Sequence, residues 1–337
     1  MSVGTGLDSK ILLKEQSALG TLGTGQRSVW LRRHEAGFHK VPNYVTSDYA
    51  ASSEIGISKQ ISHFITGRLR FELDMTTIVD VLKWFMGSIT TAQQGATSEY
   101  KHTLKFGNAF KYFKAFIDEG GMSSALYKNY IGNAINSFSL FVPRMDTVYC
   151  DCRATGQTNE AGSDPGTPSF AADELTVAFN GFKVYVGTAG ATTIAAMSQW
   201  KDPFSAKFDM SRDLNADNFQ SDQLGYTDDI VDGKVKAAVN FVTKLRTTHR
   251  IADFEAGTET SLGIVLDTGV AIPSGNGSNY KMEIVFPRGV FTTYERAIDG
   301  EGTIEPVVDF IPMIDKTATY SVRIDIYNNT TTYPNAT

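Results

Sequence analysis

Gly67-Arg-Leu-Arg-Phe-Glu-Leu73 reads as a β-strand, and the sequence that follows it is laid out twice in the chain. A short amphipathic helix comes next and closes at Gly87. A polar loop, a strand around His102-Thr-Leu-Lys-Phe106 and a long strand run from Tyr127 to Val142 complete the first round. In the second half, Gly233-Lys-Val-Lys-Ala-Ala-Val239 reads as a strand and a helical patch closes at Gly257. Ser261-Leu-Gly-Ile-Val-Leu266 is a strand again, and another run starts at Tyr280. Both late runs open on Tyr-Lys, at Tyr127-Lys128 and Tyr280-Lys281. Repetition on this scale points to duplication and to a symmetric task.

The spacing predicts a helix over Met75 to Met86. Ile78, Val81, Leu82, Phe85 and Met86 make one apolar stripe. Asp74 is placed to cap it, and Gly87 can take the left-handed conformation that ends it. Trp84 and Lys83 lie off the centre of the stripe, so Trp84 is either the edge of its own core or a contact with another subunit. Thr90 to Glu99 reads as a loop. Phe106 to Phe116, Ile135 to Val142 and Thr147 to Arg153 favour strands, as do Lys10-Ile-Leu-Leu-Lys14 and Ser28-Val-Trp-Leu-Arg-Arg33. Residues 34–60 read as an extended arm or long loop. The stretch 154–169, rich in Gly, Pro, Ser and Asn, has almost nothing to bury and reads as a linker. It divides the chain into residues 1–160 and 161–337.

Beyond it, Leu175-Thr-Val-Ala-Phe179 and Phe182-Lys-Val-Tyr-Val186 flank Asn180-Gly181, a hairpin signal. The acidic stretch from Asp209 to Asp232 reads as a solvated loop, or as a patch for a basic neighbour. Pro306 to Ile311 and Tyr320 to Ile326 are the last strands. The low apolar content of residues 34–60, 88–99 and 209–232 suggests segments that order on assembly.

Hydrophobic residues make up 42% and charged residues 20% of the 337, a composition that supports real cores. No apolar run approaches the ~20 residues of a membrane helix, so no membrane partner is expected. The start of the chain lacks a basic and apolar leader, and the expectation is a protein kept in a cytoplasm or released by lysis. A net charge of −6 and a pI near 5.4 argue against a dedicated nucleic-acid binder. Cys150 and Cys152, the only two cysteines, face one side of a strand and are expected to stay reduced. Gly4-Thr-Gly6 and Gly23-Thr-Gly25 lack a following Lys and read as turns. The five histidines are scattered, no nucleophile elbow appears, and the aspartates lack calcium-loop spacing. No catalytic, cofactor or metal residue is therefore assigned.

The order of these features resembles the tail tube (major tail) proteins of long-tailed, siphovirus-like bacteriophages. Gly67 to Asp74, the helix to Gly87, Tyr100-Lys-His-Thr-Leu104 and Ile135-Asn-Ser-Phe-Ser-Leu-Phe-Val142 are similar to that family's strand, helix, strand and strand. Asp232-Gly-Lys-Val-Lys236, Glu255 to Leu262, and Gly300 to Pro306 running into Asp309 to Met313 resemble its later parts. The resemblance implies a mainly β fold of two tail-tube-like β-sandwich or barrel domains, each with a flanking short α-helix. It implies a structural virion protein, not an enzyme, that self-assembles without cofactors into stacked rings forming a hollow tube. Doubling favours a trimeric, pseudo-hexameric ring over a hexamer. The implied partners are the chain itself, tape-measure, tail-terminator and tail-tip proteins, and phage DNA passing non-specifically through a lumen that a negative lining would keep from sticking. The implied location is the virion tail, with the host cytoplasm during assembly. The alternatives are another self-assembling ring or virion component (decoration or secretion tube), or a carbohydrate-binding β-sandwich using Trp30, Trp84 and Trp200 as sugar platforms.

Overall fold

The computed structural model of the chain describes residues 10–24, 27–31, 35–48, 55–107, 109–118, 127–170, 175–218, 229–244, 249–295 and 305–334. In order, the first half contains β1 (Lys10–Ala18), β2 (Thr21–Leu22), β3 (Ser28–Trp30), β4 (Glu35–Asp48), β5 (Ile55–Glu72), α1 (Thr77–Met86), β6 (Gly87–Gln93), β7 (Tyr100–Phe106), β8 (Phe113–Asp118), β9 (Tyr127–Val142), β10 (Tyr149–Gly156) and β11 (Thr158–Ala161). The second half contains β12 (Phe182–Thr188), β13 (Ser198–Trp200), β14 (Pro203–Arg212), β15 (Asn215–Asn218), β16 (Asp229–Val231), β17 (Val235–Thr243), α2 (His249–Glu255), β18 (Thr260–Ala271), β19 (Asn279–Glu295), β20 (Val307–Pro312) and β21 (Arg323–Asn328). The fold is mainly β. Except for the β15–β16 pair, the strands join in one antiparallel network.

Its spine is a run of eight strands in the order β4-β5-β10-β9-β14-β17-β20-β19. Alternation fixes its two faces. Leu69, Phe71, Phe138, Leu140, Phe208 and Phe310 are buried and point to the core, while Arg68, Arg70, Ser139 and Asp209 occupy the opposite face. β9 and β19 change partners along their length. The first part of β9 pairs with β8 and β11, and that of β19 with β18 and β21. These partners form the second layer, extended by β1–β8 and β12–β18 pairing, and the core lies between the layers.

Helix α1 plugs the core. Asp74 Oδ1 accepts from the N–H groups of Thr76 (2.9 Å) and Thr77 (2.7 Å), as the sequence suggests. Gly87, at φ 79°, ends the helix, and a Cβ there would lie 1.6 Å from the Ala109 carbonyl oxygen. All ten helical residues are buried, including Lys83 and Trp84. Trp84 is therefore a core residue, stacked on Phe113 at 5.3 Å, and not a subunit contact. The physical reason is the cover laid over the helix by distant chain. Lys83 Nζ donates to the Pro334 carbonyl (2.7 Å) and pairs with Glu15 (2.5 Å), which also accepts from Trp84 Nε1 (2.9 Å).

Several readings need correction. Residues 35–48 and 55–60 are not an arm or loop but part of the long β4–β5 hairpin; 34 and 49–54 lie outside the described residues. Thr90 to Gln93 extend β6, whose polar side chains face outward while its backbone bonds to β7. Among the described residues, 107 and 109–112 carry no strand. Residues 154–156 and 158–161 belong to β10 and β11, so the linker shrinks to 162–169. Asn180-Gly181 makes no hairpin, because Phe179–Gly181 is a 3-10 turn and β12 pairs with β13 and β18 instead. The acidic stretch is no simple solvated loop. Asp209 sits in β14, and Asp232 pairs with buried Arg212 (2.5 Å); 219–228 lie outside the described residues. The strands of the two halves also interlock, through β9–β14 and through β7–β21.

Candidate assembly surface

Across β5, β10, β9 and β14 the open face is largely polar, and its charges are interleaved. Arg68 pairs with Asp151, Arg70 with Glu35 (3.4 Å) and Lys207 with Asp209 (2.8 Å). Asp151 holds the Arg68 guanidinium above its ordinary pKa through hydrogen bonding and charge. Phe141 and Tyr149 stack at 4.8 Å between two cations, with Lys207 over one ring and Arg70 over the other. Such exposed pairs contribute only ~0–1 kcal/mol each. Their consequence is a polar surface on which these paired charges alternate in sign.

The run also has two ends. Among the described residues β4 pairs only with β5, and β19 beyond Gly289 pairs only with β20. An exposed strand edge offers its unpaired N–H and C=O groups to another chain. In the middle of the run, β9 and β14 show how such edges close. Ser137 to Val142 pair with Ala206 to Ser211, and Ser139 Oγ donates to Asp209 Oδ1 (2.5 Å) on the open face. Residues of this kind carry no signature in a single sequence. Only the pairing of distant strands brings Ser139 and Asp209 together.

The other candidates are accounted for by packing. Trp30, Trp84 and Trp200 are 8%, 1% and 9% exposed and offer no sugar platform. Cys150 and Cys152 are free thiols on one face of β10, as expected, and burial pushes both pKa values up. His102 is buried, hydrogen-bonded to Asn328 (2.9 Å), and burial lowers its pKa. Among the described residues, no group of three or more His, Cys, Asp or Glu is placed to hold a metal ion, and no helix is long and apolar enough to cross a membrane.

Long paired strands, a polar stretch of open face and, among the described residues, an unpaired edge at each end of the eight-stranded run define a class of β-protein suited to edge-to-edge association. The chain belongs to the phage tail tube protein family, whose model matches residues 6–321. It is thus a structural, non-enzymatic subunit that assembles into the tail tube of the virion. Comparison with curated proteins finds no match.

Proposed function

We propose that the chain is a doubled tube subunit, with units 1–160 and 161–337, and that three copies close one pseudo-hexameric ring. The carrying observation is the order of the spine. β4-β5-β10-β9 and β14-β17-β20-β19 each comprise two long strands paired with each other, then the later and the earlier of two further strands. In each set a helix follows the second strand. Its penultimate residue places an aromatic ring on the earlier of the last two strands: Phe85 on Phe138 at 6.3 Å, and Phe254 on Tyr294 at 6.5 Å. The β9–β14 contact then stands where single-unit subunits would meet a neighbour.

On this reading the open face lines the channel. Its interleaved ion pairs set a carboxylate beside each of Arg68, Arg70 and Lys207, which weakens their hold on DNA and serves passage as a uniformly negative lining would. Rings stack head to tail into a long, siphovirus-type tail tube, an open heterologous contact that propagates. Tape-measure, tail-terminator and tail-tip proteins are the further partners, met in the host cytoplasm during assembly.

Negative-stain electron microscopy with light scattering on the same sample tests this. Rings or stacked tubes built of three chains per ring support the doubled subunit. Rings of six chains keep the tube function and remove the doubling. A chain that stays monomeric with a crowding agent and with tail-initiation proteins argues against spontaneous ring closure.

A further inference from the structure

We infer that neighbouring copies meet in the register of the internal β9–β14 seam, so that Thr293, Tyr294 and Glu295 of β19 pair with Val41, Lys40 and His39 of the next copy's β4. The inference rests on the doubled-subunit reading and adds to it the residues of the joint.

The register follows from two irregularities. Against β10, β9 slips between Ile135 and Ser137; against β20, β19 slips between Phe291 and Thr293. Matching the slips sets Ile135 on Phe291, Phe138 on Tyr294 and Ser139 on Glu295. Ile135 pairs with Ala154, which leads across β5 at Gly67 to Phe38 on β4. Phe291 pairs with Phe310, which leads across β17 at Val239 to Phe208 on β14. Phe38 therefore corresponds to Phe208, and both are buried on the core face. His39, Lys40 and Val41 then stand where Asp209, Met210 and Ser211 stand inside the chain. Those three pair with Ser139, Phe138 and Ser137, and the intermolecular pairs follow.

Two observations outside this derivation agree with it. Phe138 and Tyr294, matched by the slips, are the residues that contact the two helices. The internal ladder between β9 and β14 ends at Ser211. The next position, Arg212, corresponds on β4 to Pro42, which has no N–H to continue a ladder. The chemistry also fits. Inside the chain, Ser139 and Asp209 close the open face with one hydrogen bond. Between copies, that place holds His39 and Glu295, an imidazole and a carboxylate, both exposed here.

Disulfide trapping tests the register. Directly opposed residues have Cβ atoms roughly 4.5–5.5 Å apart, close to the ~3.5–4.5 Å that a disulfide needs. Cys150 and Cys152 are fully buried and do not compete. Ser139→Cys with Asp209→Cys should form a bond within one chain and calibrates the geometry. His39→Cys with Glu295→Cys should link copies into dimers and trimers on a non-reducing gel once rings form. His39→Cys with Tyr294→Cys puts the thiols on opposite faces and should stay unlinked. Rings that form but link only through His39→Cys with Tyr294→Cys, or through neither intermolecular pair while the internal pair links, overturn the register and leave the ring reading intact. Light scattering reports that reading separately, since six chains per ring would remove it. Should the cysteine variants fail to fold, His39→Glu provides a second test. It sets two carboxylates across the joint and should slow assembly about tenfold, with His39→Glu plus Glu295→Lys restoring the rate. No change in either rate would overturn the pairing.

Discussion

Replacing Asp80 by Asn asks whether burial or ion pairing governs the middle of α1. Arg27 Nη1 lies 3.2 Å from Asp80 Oδ2, and the Asp80 side chain is only 4% exposed. Burial raises its pKa from the ordinary 3.8 to about 6; Arg27 and Lys83 oppose the rise, while Glu15 and Asp74 add to it. Desolvation wins, so the fold prefers the neutral acid. A rise of that size corresponds to about 3 kcal/mol. The sign follows from proton binding. The folded chain holds this proton more tightly than the unfolded chain, so the stabilisation is complete below pH 3.8 and is lost as pH rises through about 6. Asn resembles the neutral acid at every pH. Asp80→Asn should therefore exceed the parent in stability by up to about 3 kcal/mol near pH 7.5 and match it near pH 4. Urea unfolding of unassembled protein at both pH values measures this, as a midpoint change at constant m-value. A variant less stable than the parent near pH 7.5, with the gap closing in acid, would show that the Arg27 pair outweighs burial and refute the reasoning.

Lys83→Met removes the buried cation that pairs with Glu15 in the core and should cost about 3–5 kcal/mol, read from the same urea midpoints. Gly87→Ala and Gly257→Ala both place Ala at positive φ, but only at Gly87 does the new Cβ collide with backbone. The Gly257 change should cost about 1–2 kcal/mol and the Gly87 change clearly more, so equal losses in thermal unfolding would contradict the packing described. Phe208→Ala, which empties a buried site packed edge-on against Phe286 at 5.3 Å, should cost about 3–5 kcal/mol by chemical denaturation.

Those features of the fold that depend on local chemistry were legible in the sequence. The β5 strand at Gly67, helix α1 with Asp74 and Gly87, and the long runs β9 and β19 all carry their own periodicity or caps. Legibility failed where the decisive partner is remote. Lys83 and Trp84 look peripheral on a helical wheel, yet Glu15 and Pro334 bury them from opposite ends of the chain. Residues 35–48 have no clean alternation, because an edge strand covered on one side only can keep Lys40 and His39 exposed. Asn180-Gly181 is a strong local turn signal that lost to the pairing of β12 with β18. Thr158 to Ala161 have little to bury, yet backbone bonds to β9 make them a strand. The assembly surface was the least legible part, since a sheet edge is defined by what fails to pair with it.

A doubled subunit, as we propose, would have an energetic rationale that connects the internal seam with the edges left open. Each association event costs an estimated 4–15 kcal/mol or more in lost translational and rotational freedom. A ring of six separate units pays this at every new partner, whereas joining units in pairs makes alternate contacts intramolecular, with a high effective concentration set by the short connection. Doubling also reduces exposed edge per unit mass. In a chain of this design β9 and β14 satisfy each other at once, and among the described residues the eight-stranded run leaves β4 and the end of β19 able to template aggregation. Breaking the internal seam should therefore harm more than the monomer. Asp209→Pro removes a backbone donor within β14 and the acceptor of Ser139, and should expose two further edges. If the internal seam supplies this protection, the variant should form irregular aggregates in place of tubes under electron microscopy, even where circular dichroism shows most strand content retained. Normal tubes from Asp209→Pro would mean that the β9–β14 contact is incidental to assembly.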